Sequence, residues 1–177
     1  MRAAGGFLAV LTFALVGCAG APQRDPIVTA EQVDLERFMG RWYVIANIPT
    51  FIEKGAHNAT ETYTLDADGS IDTVFTFRAD SFDGETKTYN PRGFVTDTDS
   101  NAVWGMRFVW PFKADYRIVY LDEEYSQTII GREKRDYVWI MARTPTIPED
   151  DLARMVSLLG EEGYDTAKIE RVPQRWQ

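Results

Sequence analysis

From Arg41 onward, apolar and polar residues alternate with a period of two, the spacing of strands that bury one face. Arg41 to Ile48 alternates around Trp42, Val44, Ala46 and Ile48. Glu61 to Leu65 and Ile71 to Phe77 follow, joined by Asp66-Ala67-Asp68-Gly69, whose Asp-Gly pair is a strong turn signal. Further runs cover Thr86 to Thr96, Ala102 to Val109, Tyr116 to Leu121, Ser126 to Gly131 and Tyr137 to Arg143. Short polar segments divide them, among them Asp97-Thr98-Asp99-Ser100 and Asp122-Glu123-Glu124. No segment between the runs holds a helix-length crossover, so the pattern predicts about eight antiparallel strands in an up-and-down barrel or a sandwich.

The period changes once, near the C-terminus. Leu152, Met155, Val156 and Leu159 recur at helical spacing, and Gly160 or Gly163 can end the helix. Thr146 and Glu149 have the spacing of a capping box, and Glu149, Asp150 and Asp151 load the first turn with negative charge. The apolar stripe needs a surface, and the outside of the sheet is the one available. A short last strand is expected near Thr166 to Ile169, and the chain contains no internal repeat.

The N-terminus reads as an address. Arg2 precedes an apolar stretch, Phe7 to Val16, too short for an ordinary membrane span and laid out as a secretory signal. Leu15-Val16-Gly17-Cys18 resembles the lipobox of bacterial lipoproteins, whose cysteine becomes the lipid-bearing N-terminus. Small residues before the cysteine admit a peptidase, and the thiol supplies the nucleophile for the thioether. Ala19 in place of Asp implies sorting to the outer membrane, with the folded part expected to face the periplasm. The expected organisation is a signal over 1–18, a tether over 19–30 containing Pro22 and Pro26, and one domain over 31–177.

Composition narrows the function. Hydrophobic residues make up 45% of the 177, enough for a packed core, and the net charge is −8. Removing the signal takes one basic residue and no acidic one, leaving the mature chain more acidic still. That charge argues against a nucleic-acid partner, which would favour a basic face. One cysteine excludes an internal disulfide, and one cysteine with one histidine makes zinc or haem improbable. No cofactor and no metal are expected.

Phe38-Met39-Gly40-Arg41-Trp42-Tyr43 is similar to the Gly-x-Trp-Tyr signature of lipocalins. Leu121-Asp122 matches the second signature imperfectly, with Leu121 where Thr is frequent. Trp139 to Pro145, containing Arg143, resembles the third. The resemblance runs from about Phe38 to Val172 and is closest to the bacterial outer-membrane lipoprotein lipocalins and to apolipoprotein D. It implies an eight-stranded antiparallel up-and-down barrel with one C-terminal helix packed outside. It also implies that Gly40, Trp42 and Arg143 close one end, with Arg143 across the Trp42 face.

A barrel of eight strands has room inside for side chains or one small ligand. If Trp42 and Arg143 point inward, alternation places Met141, Trp139 and Tyr137 on the same face, along with Tyr63, Phe75, Phe77, Trp104, Met106 and Phe108. This aromatic, Met-containing set suits an alkyl chain, and the expected ligand is a fatty acid or lysophospholipid. Arg78, Arg92, Arg107 and Arg117 are candidates to meet a head group at the mouth, though strand arginines are more often at the surface. His57 is expected in a loop at the mouth, and the loop Arg132 to Arg135 in solvent. Glu61 titrates if buried, but a lone carboxylate is no catalytic pair. For Trp110-Pro111-Phe112, packing within its loop is favoured over contact with membrane or a partner. A lipid carrier is thus the first reading, without enzymatic activity. A structural envelope protein with a filled barrel is the second, and a lipid-modifying enzyme the third; association into a homodimer stays open.

Overall fold

Short polar turns between the amphipathic runs return the chain antiparallel to itself, strand after strand. The computed structural model describes residues 24–176; the expected signal, Cys18 and residues 19–23 lie outside the described residues. A single turn of helix, α1 (Leu35–Phe38), leads into β1 (Gly40–Ile48), β2 (Ala56–Leu65), β3 (Ser70–Ala79), β4 (Thr86–Tyr89) and β5 (Arg92–Val95). Then come β6 (Val103–Val109), β7 (Phe112–Leu121), β8 (Gln127–Gly131), β9 (Val138–Ala142), the helix α2 (Glu149–Glu161) and β10 (Glu170–Arg171).

Sequential strands pair, and β1 pairs with β9 from Tyr43↔Ala142 to Ile48↔Val138, which closes an antiparallel barrel with eight places around the ring. β4 and β5 share one place, both lying beside β3. The sequence pattern runs through Thr86 to Thr96 without a break, but Asn90-Pro91 interrupts it, because Pro91 has no N–H for a ladder. A second departure lies at the C-terminus. Thr166–Lys168 forms a 3-10 turn, and the last strand is Glu170–Arg171, paired with Ala46 and Asn47 of β1. β1 pairs with β2 only over Gly40–Tyr43, so the upper edge of β1 is open there. The C-terminal segment fills the gap: Val172 donates to the Ile45 carbonyl and Asn58 to that of Pro173.

Alternation sorts the apolar residues into two cores. One lies inside the barrel and includes Phe38, Trp42, Tyr63, Ile71, Phe75, Trp104 and Ile118. The other lies outside, where Leu152, Met155 and Leu159 of α2 meet Ile45, Ile129, Val138 and Ile140. All buried members of both cores fall between Ile27 and Val172, so the barrel carries its own core. A bulge between Val44 and Ala46 breaks the parity of β1. Ala46 and Ile48 therefore pack with the helix side, not with Trp42 and Val44 as unbroken alternation predicts.

The expected capping box is not formed. Pro148 is the N-cap of α2, and no side chain caps it. A residue before proline is held extended, so Ile147 cannot continue the helix back to Thr146. The three acids of the first turn remain, and two find partners: Glu149 with Arg171, Asp151 with Arg154.

The two ends of the barrel differ. α1 and the β7–β8 turn lie at one end. The β1–β2, β3–β4, β6–β7 and β8–β9 connections lie at the other. Residues 25–30, expected as tether, run along the barrel: the Asp25 carbonyl accepts from Arg135, Ile27 is buried, and the Ala30 N–H donates to Ile118.

Candidate functional site

At the α1 end the barrel is closed by a ring sandwich. Trp42, fully buried, donates from Nε1 to the Phe38 carbonyl at 2.9 Å and lies 5.1 Å from the Phe38 ring. The Arg143 guanidinium lies 3.8 Å from the Trp42 ring centroid. It donates to the carbonyls of Arg37, Phe38, Arg41 and Tyr125, tying α1, β1 and the β7–β8 turn together. Gly40 has φ of +95°, and a Cβ there would sit 3.3 Å from Arg143 Nη1. Gly40→Ala is therefore expected to cost about 1–3 kcal/mol of stability, read as a lower urea midpoint.

Above this plug the middle of the barrel is filled. Trp104 and Tyr116 stack at 5.0 Å, and Trp104 also meets Phe38 and Tyr63 edge to face. Tyr63 donates to Glu61 and shares a 2.7 Å hydrogen bond with Tyr116. Burial pushes the Glu61 carboxyl up to about 7; the Tyr63 hydrogen bond opposes this and the Glu53 charge adds to it. Burial likewise holds the Tyr63 and Tyr116 phenols well above their usual range.

The upper half encloses a cavity of about 420 Å³, open at the end away from α1. Phe75, Tyr89, Met106, Ala114 and Trp139 form its apolar walls, with Glu61, Thr73 and Tyr116 also lining it. Phe51, Phe108 and Val109 stand at the mouth, each largely exposed. Glu53 reaches the cavity from the β1–β2 loop. It accepts from Trp139 Nε1 at 3.0 Å and from the Thr50 N–H at 2.9 Å, while burial raises its pKa against both bonds. The Thr50 and Thr73 hydroxyls and Arg132 Nε also line the cavity, buried and without a protein partner. Such atoms gain from a polar group brought in by a ligand or by water.

Residues 33–174 match the lipocalin-like domain family. The chain is a lipocalin.

The lipocalin is 28% identical over 176 residues to the outer membrane lipoprotein Blc of Escherichia coli, covering 94% of this chain and 93% of that protein. It is 32% identical over 167 residues to temperature-induced lipocalin-1 of Arabidopsis thaliana, covering 86% and 85%. Apolipoprotein D of Bos taurus is 28% identical over 151 residues, covering 78% and 76%. Among solved structures, the cockroach allergen Per a 4 superposes with a TM-score of 0.65 at 17% identity, over 88% of this chain and 97% of that one. At that identity the likeness is one of fold.

The lipocalin distributes the expected ligand residues unevenly. Phe75, Met106 and Trp139 line the cavity, and Phe108 lines it from the exposed rim. Tyr63 and Trp104 lie beneath the cavity in the packed middle, and Met141 is buried in the same inner core. Phe77 is buried in the inner core against the rings of Phe75 and Tyr89 but does not itself line the cavity. Tyr137 is not an inward residue. It precedes β9, where alternation no longer applies, and packs with the helix-side core under Arg132.

The four strand arginines do not line the cavity. Arg92 pairs with Asp66 and Asp72, Arg117 with Asp115 and Glu133, Arg107 covers Phe94, and Arg78 donates to the Gly84 carbonyl. Arg132, expected in solvent, lines the cavity instead, and Arg135 is almost wholly covered by Glu133, Glu162 and Asp25. His57 belongs to β2, not to a loop, and packs edge to face on Phe82. Among the described residues no cluster of His, Cys, Asp and Glu has the geometry to hold a metal.

Sequence reasoning missed Glu53, Thr73, Tyr116 and Arg132. Parity offered a signal for two: Thr73 alternates with Phe75, and Tyr116 with Ile118. Glu53 and Arg132 stand in loops, where no period exists.

Proposed function

We propose that this lipocalin holds a single-chain lipid, a fatty acid or lysophospholipid, in its barrel and stores or carries it at the outer membrane, anchored through a lipidated Cys18. The apolar cavity of about 420 Å³, open at one end, carries the reading; it falls within the range of small-molecule sites. Burying ten methylenes would give about 8 kcal/mol gross. Ordering the chain offsets part of that, leaving affinity on the order of micromolar. Arg132, Glu53 and Asp115 all line the cavity and together offer both signs of charge to a head group. That mixture favours a zwitterionic head over a simple carboxylate. The outer-membrane location draws its support from the E. coli relative, which matches nearly end to end and is itself an outer membrane lipoprotein.

The filled-barrel alternative fits the lower half, where Trp42, Tyr63 and Trp104 occupy the interior. The open upper half favours the carrier. Titration of residues 24–177 with palmitate and with lysophosphatidylethanolamine, followed by tryptophan fluorescence, tests the choice. Saturable binding at one site per chain is expected, tighter for the lysophospholipid. Absence of binding to either by delipidated, folded protein would overturn the carrier reading. Trp139→Ala should weaken binding about tenfold, since it removes a cavity wall. Trp104→Ala should act on stability instead, because that ring is packed below the cavity.

A further inference from the structure

The walls of the cavity are apolar, but its floor is not. Glu61, Thr73 and Tyr116 line it just above the packed middle of the barrel, 8%, 2% and 6% exposed. All three gather around Tyr63. Thr73 is its cross-strand partner in β3, Glu61 lies two residues away on the same face of β2, and Tyr116 reaches it from β7. The rim is the opposite: Phe51 and Phe108 stand exposed there, and Trp110 and Phe112, at the β6–β7 tip, are exposed and not packed within their loop. A plain alkyl terminus on the floor would shut polar groups away from water and offer them no partner, which weakens binding.

The hydrogen bonds at the floor have a direction. The one proton of the Tyr63 hydroxyl goes to Glu61 Oε2, so in the 2.7 Å bond between the two phenols Tyr116 is the donor. That relay uses both phenol protons and one carboxyl oxygen. Glu61 Oε1 is left to the cavity, with no protein partner among the described residues. The Thr73 hydroxyl is also unpartnered, while its backbone N–H donates to the Pro91 carbonyl. Protonated, Glu61 offers a donor here; ionised, it offers an acceptor. A ligand hydroxyl serves either state, since it both donates and accepts. Five residues separate Glu61 from Ala56, where β2 starts at the open end, about 15 Å of strand. The group that meets the floor is therefore far from the head of the ligand.

We infer that the cavity floor selects a single-chain lipid oxygenated at its far end, an ω-hydroxyacyl chain whose terminal hydroxyl bonds Glu61 and Thr73. The inference rests on the carrier reading and names its cargo. Phe75, Met106 and Trp139 cover the methylenes between, and the head group stays at the mouth. A site built to bond a hydroxyl discriminates against the analogue that lacks it, because the polar groups of the site are then left unpaired.

The test is calorimetric titration of residues 24–177 with laurate, myristate and palmitate, each beside its ω-hydroxy and its 2-hydroxy derivative. The two derivatives are isomers, so both bring the same hydroxyl out of water and differ only in where they place it. At the chain length that spans the cavity, the ω-hydroxy acid should bind about tenfold more tightly than the plain acid. The 2-hydroxy acid should show no such gain. An apolar floor would reverse the order, since a buried hydroxyl without a partner weakens binding. Glu61→Met, in which Tyr63 can donate to Tyr116 instead, should abolish the ω-hydroxy preference, and Thr73→Val should shrink it. The comparison of ligands needs no variant, so it decides even if Glu61→Met fails to fold. Plain acids that bind while no ω-hydroxy acid binds more tightly overturn the inference and leave the carrier reading standing. An equal gain from the 2-hydroxy isomer, or a preference intact in both variants, overturns it as well. Absence of saturable binding by every acid removes the carrier reading and the inference together.

Discussion

Trp42→Ala is expected to lower unfolding free energy by about 3–5 kcal/mol, the cost of emptying a large buried aromatic site. The site cannot collapse easily. Phe38 packs on one face of the indole, the Arg143 guanidinium lies across it, and both are fixed by backbone bonds at the closed end. In urea the midpoint should fall with little change of slope, since the surface exposed on unfolding is nearly the same. Arg143→Ala should cost about 3 kcal/mol by a different route, stranding carbonyls of Arg37, Phe38, Arg41 and Tyr125 without their charged donor. Because the two side chains touch, the double variant should lose less than the sum of the singles. Lipid affinity of the folded fraction should change little in all three, since neither residue lines the cavity. Single variants as stable as the parent, or losses that add fully, would show that the plug does not hold the closed end.

The same contrast explains how much of the protein could be read from its sequence. The strands were legible because a barrel wall with a dry inside imposes a period of two, and Trp42, Ile71, Phe75, Trp104 and Ile118 obey it. The helix was legible because Leu152, Met155 and Leu159 repeat at its own period. Parity separates inside from outside but says nothing of height along the barrel. It could not tell Phe75 and Met106, which line the cavity, from Tyr63 and Trp104, which fill the space beneath it. Height depends on register and on the bulges, and the one between Val44 and Ala46 turned two expected inward residues out. Glu53 and Arg132 enter the site from loops, and their positions follow from tertiary bonds, Glu53 to Trp139 and the Arg132 backbone to the Tyr164 hydroxyl. No local pattern encodes those bonds.

A carboxyl buried among aromatic rings should make this lipocalin lose stability as the pH rises through neutrality. Glu61 has an ordinary value near 4.5 when unfolded and about 7 in the barrel, where desolvation outweighs the Tyr63 hydrogen bond. Between those values the folded chain keeps a proton that the unfolded chain has released. Folding is therefore progressively disfavoured from pH 4.5 to 7, by about 3 kcal/mol at the plateau above. Burial raises the pKa of Glu53 also, which adds to the same slope. The surface acids Asp68, Asp97, Glu149 and Asp151 have pKa values lowered by hydrogen bonds, so their contribution is lost only toward lower pH and does not mask the effect. Glu61→Gln keeps an acceptor for Tyr63 but cannot ionise. It should be more stable than the parent at pH 8, nearly equal at pH 4.5, and flatter between them in a series of urea melts. Lipid binding should follow the same group. Glu61 lines the cavity, so its ionisation brings a charge beside the acyl chain. Affinity for a neutral-tailed lysophospholipid should be higher at pH 5.5 than at pH 8 in the parent and level in Glu61→Gln. A parent whose stability rises from pH 4.5 to 8, or a variant with the parent's slope, would show that Glu61 is ionised in the fold and that the barrel floor is wetter than its aromatic walls imply.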